Sequence, residues 1–483
     1  MSLRSLAVPV VSLALAACAL QSPPEPSELR EQQLPNVRLP SVWTATGTVP
    51  GYVPDNWLMT FNDAQLEALV LEALAYNTDL AVASARVEQA AGYARLAGSY
   101  IYPTVNLLAR GGGKGGDSSG VSGVAVFASW ELDIWGRARS EREAGSQLYQ
   151  AAVFDAEYAR QSIAAMVAKS WILAVEARLQ RALADEIVRS SEQSLKLADD
   201  RLRVGKGDEY DLTLAQANTE SFRDAARQLA LGYEQALRAL ETLLGRYPAA
   251  VVEVATGLPA MPPPVPAGLP SELLERRPDV IAAQRKVASA FHRVAEAKAA
   301  RLPKIALTAG VQNISSDLFV LKEQSSPIFS LGANLTAPIF NGWALAAQVD
   351  IRTAEQRLAA AEYGRVGIRA FGEVEAALSA GFAADEREVI LARAVASNAR
   401  TVELAQVRLN VGSGDLRAVL QQSIALYAAR TALLRVQSER RVQRVNLHLA
   451  LGGSFDPRPT EDEKTKTGDA GTSELAQVKP TVQ

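Results

Sequence analysis

Cysteine is all but missing from this chain of 483 residues, and Cys18 is the only one. Disulfide frameworks and multi-thiolate metal sites are thereby excluded. Histidine is nearly as scarce. His292 and His448 are the only two, far apart and each within a helical pattern, so they read as surface or packing residues and not as a metal site or catalytic triad. No sign of charge dominates: 50 basic and 53 acidic residues give −3, which leaves neither a nucleic-acid footprint nor an acidic tail. Gly111 to Gly116, GGGKGG, has Gly115 where a phosphate loop needs Ser or Thr after its lysine, and reads as a glycine-rich loop between strands. The chain is therefore expected to be no enzyme and to hold no cofactor and no metal. Any energy source lies in a partner.

Proline is also missing, in two long stretches. The chain has 23, yet none lies between Pro103 and Pro248 or between Pro338 and Pro457, so both runs are free to be mostly helix. Ile172, Val175, Leu179, Leu183 and Ile187 step by three and four, with Glu176, Arg178, Arg181 and Asp185 between them. Only Gly145 interrupts the pattern from Arg139 to Arg203, and such a helix would be roughly 100 Å long. Its flanks are rich in alanine (Ala151, Ala152, Ala156, Ala159, Ala164). That suits an array in which each helix has two close neighbours better than a coiled-coil dimer, which needs large residues at heptad positions.

What is present is a duplication. Arg201 to Gln216, RLRVGKGDEYDLTLAQ, returns as RLNVGSGDLRAVLQQ at Arg408 to Gln422, with Arg201, Val204, Gly205, Gly207 and Asp208 matching residues 207 positions later. Each copy places a Gly-x-Gly-Asp turn between two amphipathic segments, which reads as helix, tight turn, helix. Earlier in the copies the offset is 200, at Val87 and Val287 and at Pro103 and Pro303.

After Pro103 and Pro303 the period drops to two. Val105, Leu107 and Ala109 alternate, then Val124, Val126, Ala128, Trp130 and Leu132; the second copy has Ile305, Leu307, Ala309 and Val311, then Phe329, Leu331, Ala333 and Leu335. The intervening loops are Gly111 to Gly123 and Asn313 to Gln324. Tyr100, Tyr102, Trp130 and Trp135, with Phe319, Phe329, Phe340 and Trp343, bracket the strand ends as aromatic girdles do. Strands of this length and alternation suit an outer-membrane barrel, although caps on a soluble core would look similar. Four strands cannot close a barrel, whose smallest size is about eight, so several chains would contribute.

The organisation follows. Residues 1–17 read as a secretory signal, with one charge at Arg4 and an apolar run too short to span a membrane. Leu15-Ala16-Ala17-Cys18 is similar to a bacterial lipobox, which would make Cys18 an acylated first residue; a cysteine that merely follows a small-residue cleavage site is the other reading. Residues 18–61 read as an extended, lipidated strap. The first repeat covers 62–245, with a β-hairpin at about 104–134 and a tip at about 204–208. A Pro-rich linker, with Pro262 to Pro264, covers 246–278. The second repeat covers 279–453, with a hairpin at about 304–340 and a tip at about 411–415. The tail, 454–483, is expected to be disordered.

Taken together, Cys18, Trp57 with Phe61-Asn62-Asp63, Asn77-Thr78-Asp79-Leu80, Leu132 to Arg137 (LDIWGR), Arg276-Arg277-Pro278-Asp279, Ala337 to Gly342 (APIFNG) and the two Val-Gly tips resemble the outer-membrane efflux protein family. These are the TolC-like and OprM-like trimeric channels, including NodT-type lipoproteins, and the resemblance covers Asn56 to Gly453. It implies a mainly α fold with a membrane β-barrel: a homotrimer, twelve-stranded in the outer membrane, continuing as a periplasmic tunnel of long helices. It further implies an exit duct that passively conducts small toxic compounds, drugs or metal ions, from an inner-membrane pump of the resistance-nodulation-division type through a periplasmic adaptor. Outer-membrane lipid would surround it, and nucleic acid would play no part. Export of whole proteins by a type I secretion system is the alternative use of the fold, and a lipidated periplasmic adaptor, with one helical hairpin, is the rival class.

By the same resemblance Val204, Gly205, Lys206, Gly207, Val411, Gly412, Ser413 and Gly414 would meet the adaptor. Arg201, Asp208, Asp211, Arg408, Asp415 and Arg417 would form the periplasmic constriction, though a solvated helix end is the other reading of each. The chain departs from some relatives at Ala418 and Gln421, where acidic residues would form a second ring; Asp415 is the nearest replacement.

Overall fold

Why the chain folds in two separate units, and not as its two sequence copies, follows from its strand pairing. The computed structural model describes residues 22–45, 51, 53, 55–110, 121–268, 270–316 and 328–455. The expected signal (1–17), Cys18, most of the two expected loops (111–120 and 317–327, with Phe319) and the expected tail from residue 456 lie outside the described residues. The elements run α1 (Pro26–Gln33), a 3-10 turn (Trp57–Phe61), α2 (Ala64–Tyr76), α3 (Thr78–Ser99), β1 (Thr104–Arg110), β2 (Val121–Leu132), α4 (Arg137–Arg203), α5 (Glu209–Leu243), a 3-10 turn (Pro270–Glu272), α6 (Leu273–Arg276), α7 (Pro278–Ala299), β3 (Lys304–Ser316), β4 (Ile328–Thr336), α8 (Ala344–Asn410) and α9 (Leu416–Ala450). Both proline-free runs are dominated by helix, and α4 and α8 are each 67 residues long.

One unit comprises Met1–Arg38, Val82–Ala156 and Pro278–Ile368. Its sheet has the order β1-β2-β3-β4, antiparallel throughout. β2 of the first copy pairs with β3 of the second from Val121↔Ser316 to Leu132↔Ile305. The copies are thus joined by a ladder. That ladder also corrects the loop reading: Val121–Gly123 and Asn313–Ser316 are strand, because each finds a backbone partner on the facing strand.

The register puts one set of side chains on one face. Leu107 faces Val126, Val126 faces Val311 and Val311 faces Phe329; Ala109, Val124, Ala128, Trp130, Leu307, Ala309, Leu331 and Leu335 share that face. Many of these are open to the surroundings, Leu107 at 70% and Leu331 at 88%. The opposite face carries Thr104, Asn106, Ser129, Glu131, Thr308, Ser330 and Asn334, with Leu108, Ala125, Phe127 and Ala306 as apolar exceptions.

The strap expected to be extended contains α1. Pro26 opens that helix, where a missing N–H costs nothing, Glu28 sits at its positive end, and Leu29 is buried. Tertiary burial overrides the polar composition there.

The other unit comprises Leu39–Ala81, Glu157–Arg277 and Arg369–Gln483. Its core gathers Trp57 and Phe61, Leu66, Leu69, Val70 and Ala73 of α2, Trp171, Ile172 and Val175 of α4, and Leu237 and Leu240 of α5. Burying one such apolar side chain contributes roughly 1.5–3 kcal/mol. Asp63 caps α2, accepting from the Gln65 and Leu66 amides, and also accepts from Trp171 Nε1 at 2.8 Å. Arg277 is fully buried. It pairs with Glu373 at 2.7 Å, donates to the Ala450 carbonyl at 3.0 Å and lies over the Tyr158 ring, so it joins α4, α8 and the end of α9. Among the described residues no helix is long and apolar enough to cross a membrane.

Candidate functional site: the paired helix turns

Both expected tips are present, at the ends of α4 and α8. After Arg203 the chain leaves the helix in a Schellman pattern: Lys206 N donates to Arg201 O at 2.9 Å and Gly205 N to Leu202 O at 3.0 Å. Ser413 N to Arg408 O at 3.0 Å and Gly412 N to Leu409 O at 3.2 Å repeat it. Gly205 and Gly412 take φ of +69° and +79°, which only glycine holds without strain. The second glycines serve another purpose. A Cβ on Gly207 would lie 3.1 Å from Arg201 Cβ and Leu202 N, and one on Gly414 would lie 2.8 Å from Leu409 N. They let the chain fold back against the last helical turn.

Val204 and Val411 are exposed at 67% and 72%, which leaves two apolar side chains at the turns facing outward. Lys206, Arg201 and Arg408 are not buried; Arg201 also reaches the Lys206 carbonyl at 3.4 Å. Asp208 and Asp415 act locally, as the N-caps of α5 and α9, accepting from Asp211 N at 2.7 Å and Arg417 N at 3.0 Å.

Asp211 and Arg417 connect the two copies. Arg417 Nε lies 3.2 Å from Asp211 Oδ1 and 3.0 Å from Asp415 Oδ2, so one guanidinium bridges a carboxylate of each tip. Asp211 is mostly covered, at 17% side-chain exposure, and the bridging oxygen makes a charge contact without an aligned hydrogen bond. Burial pushes its carboxyl above the usual range, Asp208 adds to this, and Arg417 opposes it. Arg417 also lies over the Tyr210 ring at 5.4 Å, a contact missed from the sequence although an aromatic one residue from Asp211 was the available signal. Beneath the turns Ala198, Ala215, Leu409, Leu416, Val419 and Leu420 form a small shared core, and Phe222 meets Tyr427 edge-on at 6.1 Å. Arg203, also missed, pairs with Asp199 and Asp200. Cys18 lies outside the described residues.

A duplicated, mainly helical chain with paired helix turns in one unit and a sheet bearing an exposed apolar face in the other has the architecture of a membrane channel subunit. The outer membrane efflux protein family model matches residues 69–246 and 269–453, and the chain belongs to that family. It is 30% identical to the cation efflux system protein CusC of Escherichia coli over 460 residues, 92% of this chain and 97% of that protein. It is 29% identical to the pyoverdine export outer membrane protein OpmQ of Pseudomonas aeruginosa over 476 residues, 94% of this chain and 98% of that one. Among solved structures it resembles the CusC channel at 29% identity and a TM-score of 0.76, covering 85% of this chain and all of that one. The fold of the Campylobacter jejuni CmeC outer membrane channel matches with a TM-score of 0.80 at 24% identity, over 90% and 97% of the two chains. The fold class expected from the sequence, mainly α with membrane-barrel strands and a duplicated unit, is borne out. The chain is an outer-membrane efflux component.

Proposed function

We propose that the chain is the exit duct of a tripartite efflux pump. Three copies close one barrel of twelve strands, four from each chain, and the duct passively conducts small toxic solutes delivered by an inner-membrane pump, of the resistance-nodulation-division type, through a periplasmic adaptor. The observation that carries this reading is the sheet. It has one apolar face, one largely polar face and two open edges, β1 and β4. Lipid satisfies the first face and water the second, and open edges do not persist in hydrocarbon. Other copies of the same sheet pair them with no new surface. Acylated Cys18 would add an anchor to the outer membrane.

The exposed turns Val204-Gly205-Lys206-Gly207 and Val411-Gly412-Ser413-Gly414 are assigned to the adaptor. The bridge from Arg417 to Asp211 and Asp415, with Arg201, Arg408 and Asp208 around it, is assigned to the closed periplasmic mouth. The descriptions of CusC as a cation efflux protein and of OpmQ as a pyoverdine exporter favour ions and small molecules over whole proteins.

Gly205→Pro and Gly412→Pro test the docking assignment, since proline fixes φ near −65° and cannot take the left-handed turn. Assembled barrels with efflux lost are expected; normal efflux in both variants removes the role. A deletion strain challenged with drugs, metal salts and detergents identifies the cargo. A defect confined to a secreted protein moves the reading to type I secretion.

A further inference from the structure

In the second unit α9 packs antiparallel to the later part of α4, and the contacts step in opposite directions along the two helices. Lys169 Nζ donates to Asn446 Oδ1 at 3.2 Å, Gln180 Nε2 to the Thr431 carbonyl at 3.3 Å, and Arg430 to Glu186 at 2.8 Å. This seam holds polar atoms that nothing satisfies. Gln180 is 4% exposed and Ser438 1%, yet Gln180 Oε1, Ser438 Oγ and Thr431 Oγ1 are covered and have no hydrogen-bond partner among the described residues. Burial raises the Glu176 carboxyl above its usual range, and Ser438 and Gln180 beside it oppose that without an aligned hydrogen bond to it. The repeat does not carry the set over. Ala383, Arg387, Asp224 and Leu231 stand 207 positions from Glu176, Gln180, Thr431 and Ser438, so the feature belongs to this helix pair.

Covered polar atoms in a native fold are satisfied by protein groups or by ordered water. We infer that the α4/α9 seam binds two water molecules in file, one at Ser438 Oγ and one at Thr431 Oγ1, both donating to Gln180 Oε1. The spacing fixes the number. Thr431 and Ser438 are two helical turns apart, roughly 10 Å along the axis, whereas one water bridges only about 6 Å. Gln180 Oε1 has two lone pairs and takes a proton from each water. The water at Ser438 accepts from that hydroxyl and gives its second proton to Glu176; the water at Thr431 accepts from the other hydroxyl. A cation would use the lone pairs and leave both hydroxyl protons unpaired, so the chemistry selects water. The file pins the height of α9 on α4, because a slide of one turn carries each hydroxyl away from Gln180. The inference is independent of the channel reading, since the site needs neither the turns nor the barrel.

A cryo-EM map of the full chain in detergent, sharp enough to show ordered water, tests this. Two peaks are expected, each within hydrogen-bond distance of Gln180 Oε1 and of one hydroxyl. Side chains paired directly with fewer than two peaks between them, or a peak with the shorter contacts of a metal ion, would overturn the assignment. Thermal midpoints give a second reading. Thr431→Val and Ser438→Ala remove hydroxyls too far apart to touch, and the effects of such sites add unless they share a partner. The double variant is expected to lose clearly less than the sum of the two single losses, and additivity is expected to return in a Gln180→Leu background. Additive losses with Gln180 in place would overturn the file.

Discussion

At the scale of single residues the duplication shows how one position finds two solutions. Glu241 and His448 occupy equivalent places, 207 positions apart near the ends of α5 and α9, and both are buried. Glu241 accepts from three consecutive amides, those of Ala250, Val251 and Val252, at 2.6 to 3.1 Å. Glu241→Ala would leave three amides, one buried and two part-buried, without this acceptor, and a loss of about 2–4 kcal/mol is expected, read as a lower thermal midpoint; an unchanged midpoint shows that water replaces the carboxylate. His448 instead stacks on Trp57, 5.6 Å between centroids at 17°, and neither ring nitrogen has a hydrogen-bond partner. Burial, with Arg444 adding to it, pulls its pKa from 6.5 down to about 3. The folded state therefore prefers the neutral ring, so this contribution is intact above pH 6.5 and declines as pH falls from 6.5 towards 3. At pH 5 the loss is about 2 kcal/mol. His448→Phe keeps the stacking and removes the proton, and should flatten the acid side of the stability profile. Parallel profiles for both proteins would show that other groups set the acid slope.

At the scale of elements the turns were legible because their chemistry is local. Gly-x-Gly-Asp states a left-handed C-cap, a close return and an N-cap within four residues, and the missing prolines gave α4 and α8 their length. What stayed hidden depends on distant partners: α1, held by a buried Leu29; the extra residues of β3, held by β2; and the three-way joint at Arg277. The charged residues beside the turns were legible as a cluster, but their division of labour was not, since capping by Asp208 and Asp415 and bridging by Arg417 are matters of geometry. The close returns also differ in tightness. A Cβ on Gly414 meets backbone at 2.8 Å and one on Gly207 at 3.1 Å, so Gly414→Ala should lower adaptor co-purification more than Gly207→Ala; the reverse order would mean that the second turn relaxes freely. Arg417→Gln removes the cation between Asp211 and Asp415. Higher single-channel conductance is expected, with Asp211 taking up its proton at higher pH because Arg417 no longer opposes burial. Unchanged conductance would detach this bridge from gating.

At the scale of the whole molecule the internal repeat specifies how copies should meet. Within one chain β2 lies beside β3 with Trp130 opposite Leu307. Val105 pairs with Ala128 and Ile305 with Leu335, so the two hairpins superpose with Ala128 equivalent to Leu335, on the open edge of β4, and Ala309 equivalent to Ala109, on the open edge of β1. If neighbouring chains repeat the internal pairing of Ala128 with Ala309, Leu335 of one copy falls opposite Ala109 of the next. The corner after each strand argues the same way. Trp135 after β2 donates to the Pro303 carbonyl at 2.7 Å, whereas Phe340, an aromatic in the corresponding corner after β4, is 81% exposed, and Pro103, the counterpart of Pro303, is exposed too. Phe340 thus lacks, among the described residues, the seat that Trp135 has, and Pro103 of a neighbouring copy would supply one. Leu335→Cys with Ala109→Cys, on a Cys18→Ser background, should give oxidative cross-links between chains, because directly opposed positions bring Cβ atoms to about 5 Å. Leu335→Cys with Leu108→Cys places the second sulfur on the other face and should give none. Trimers that cross-link equally in both pairs, or in neither, would reject this register while keeping the assembly; particles of a single chain in mild detergent would reject the assembly itself.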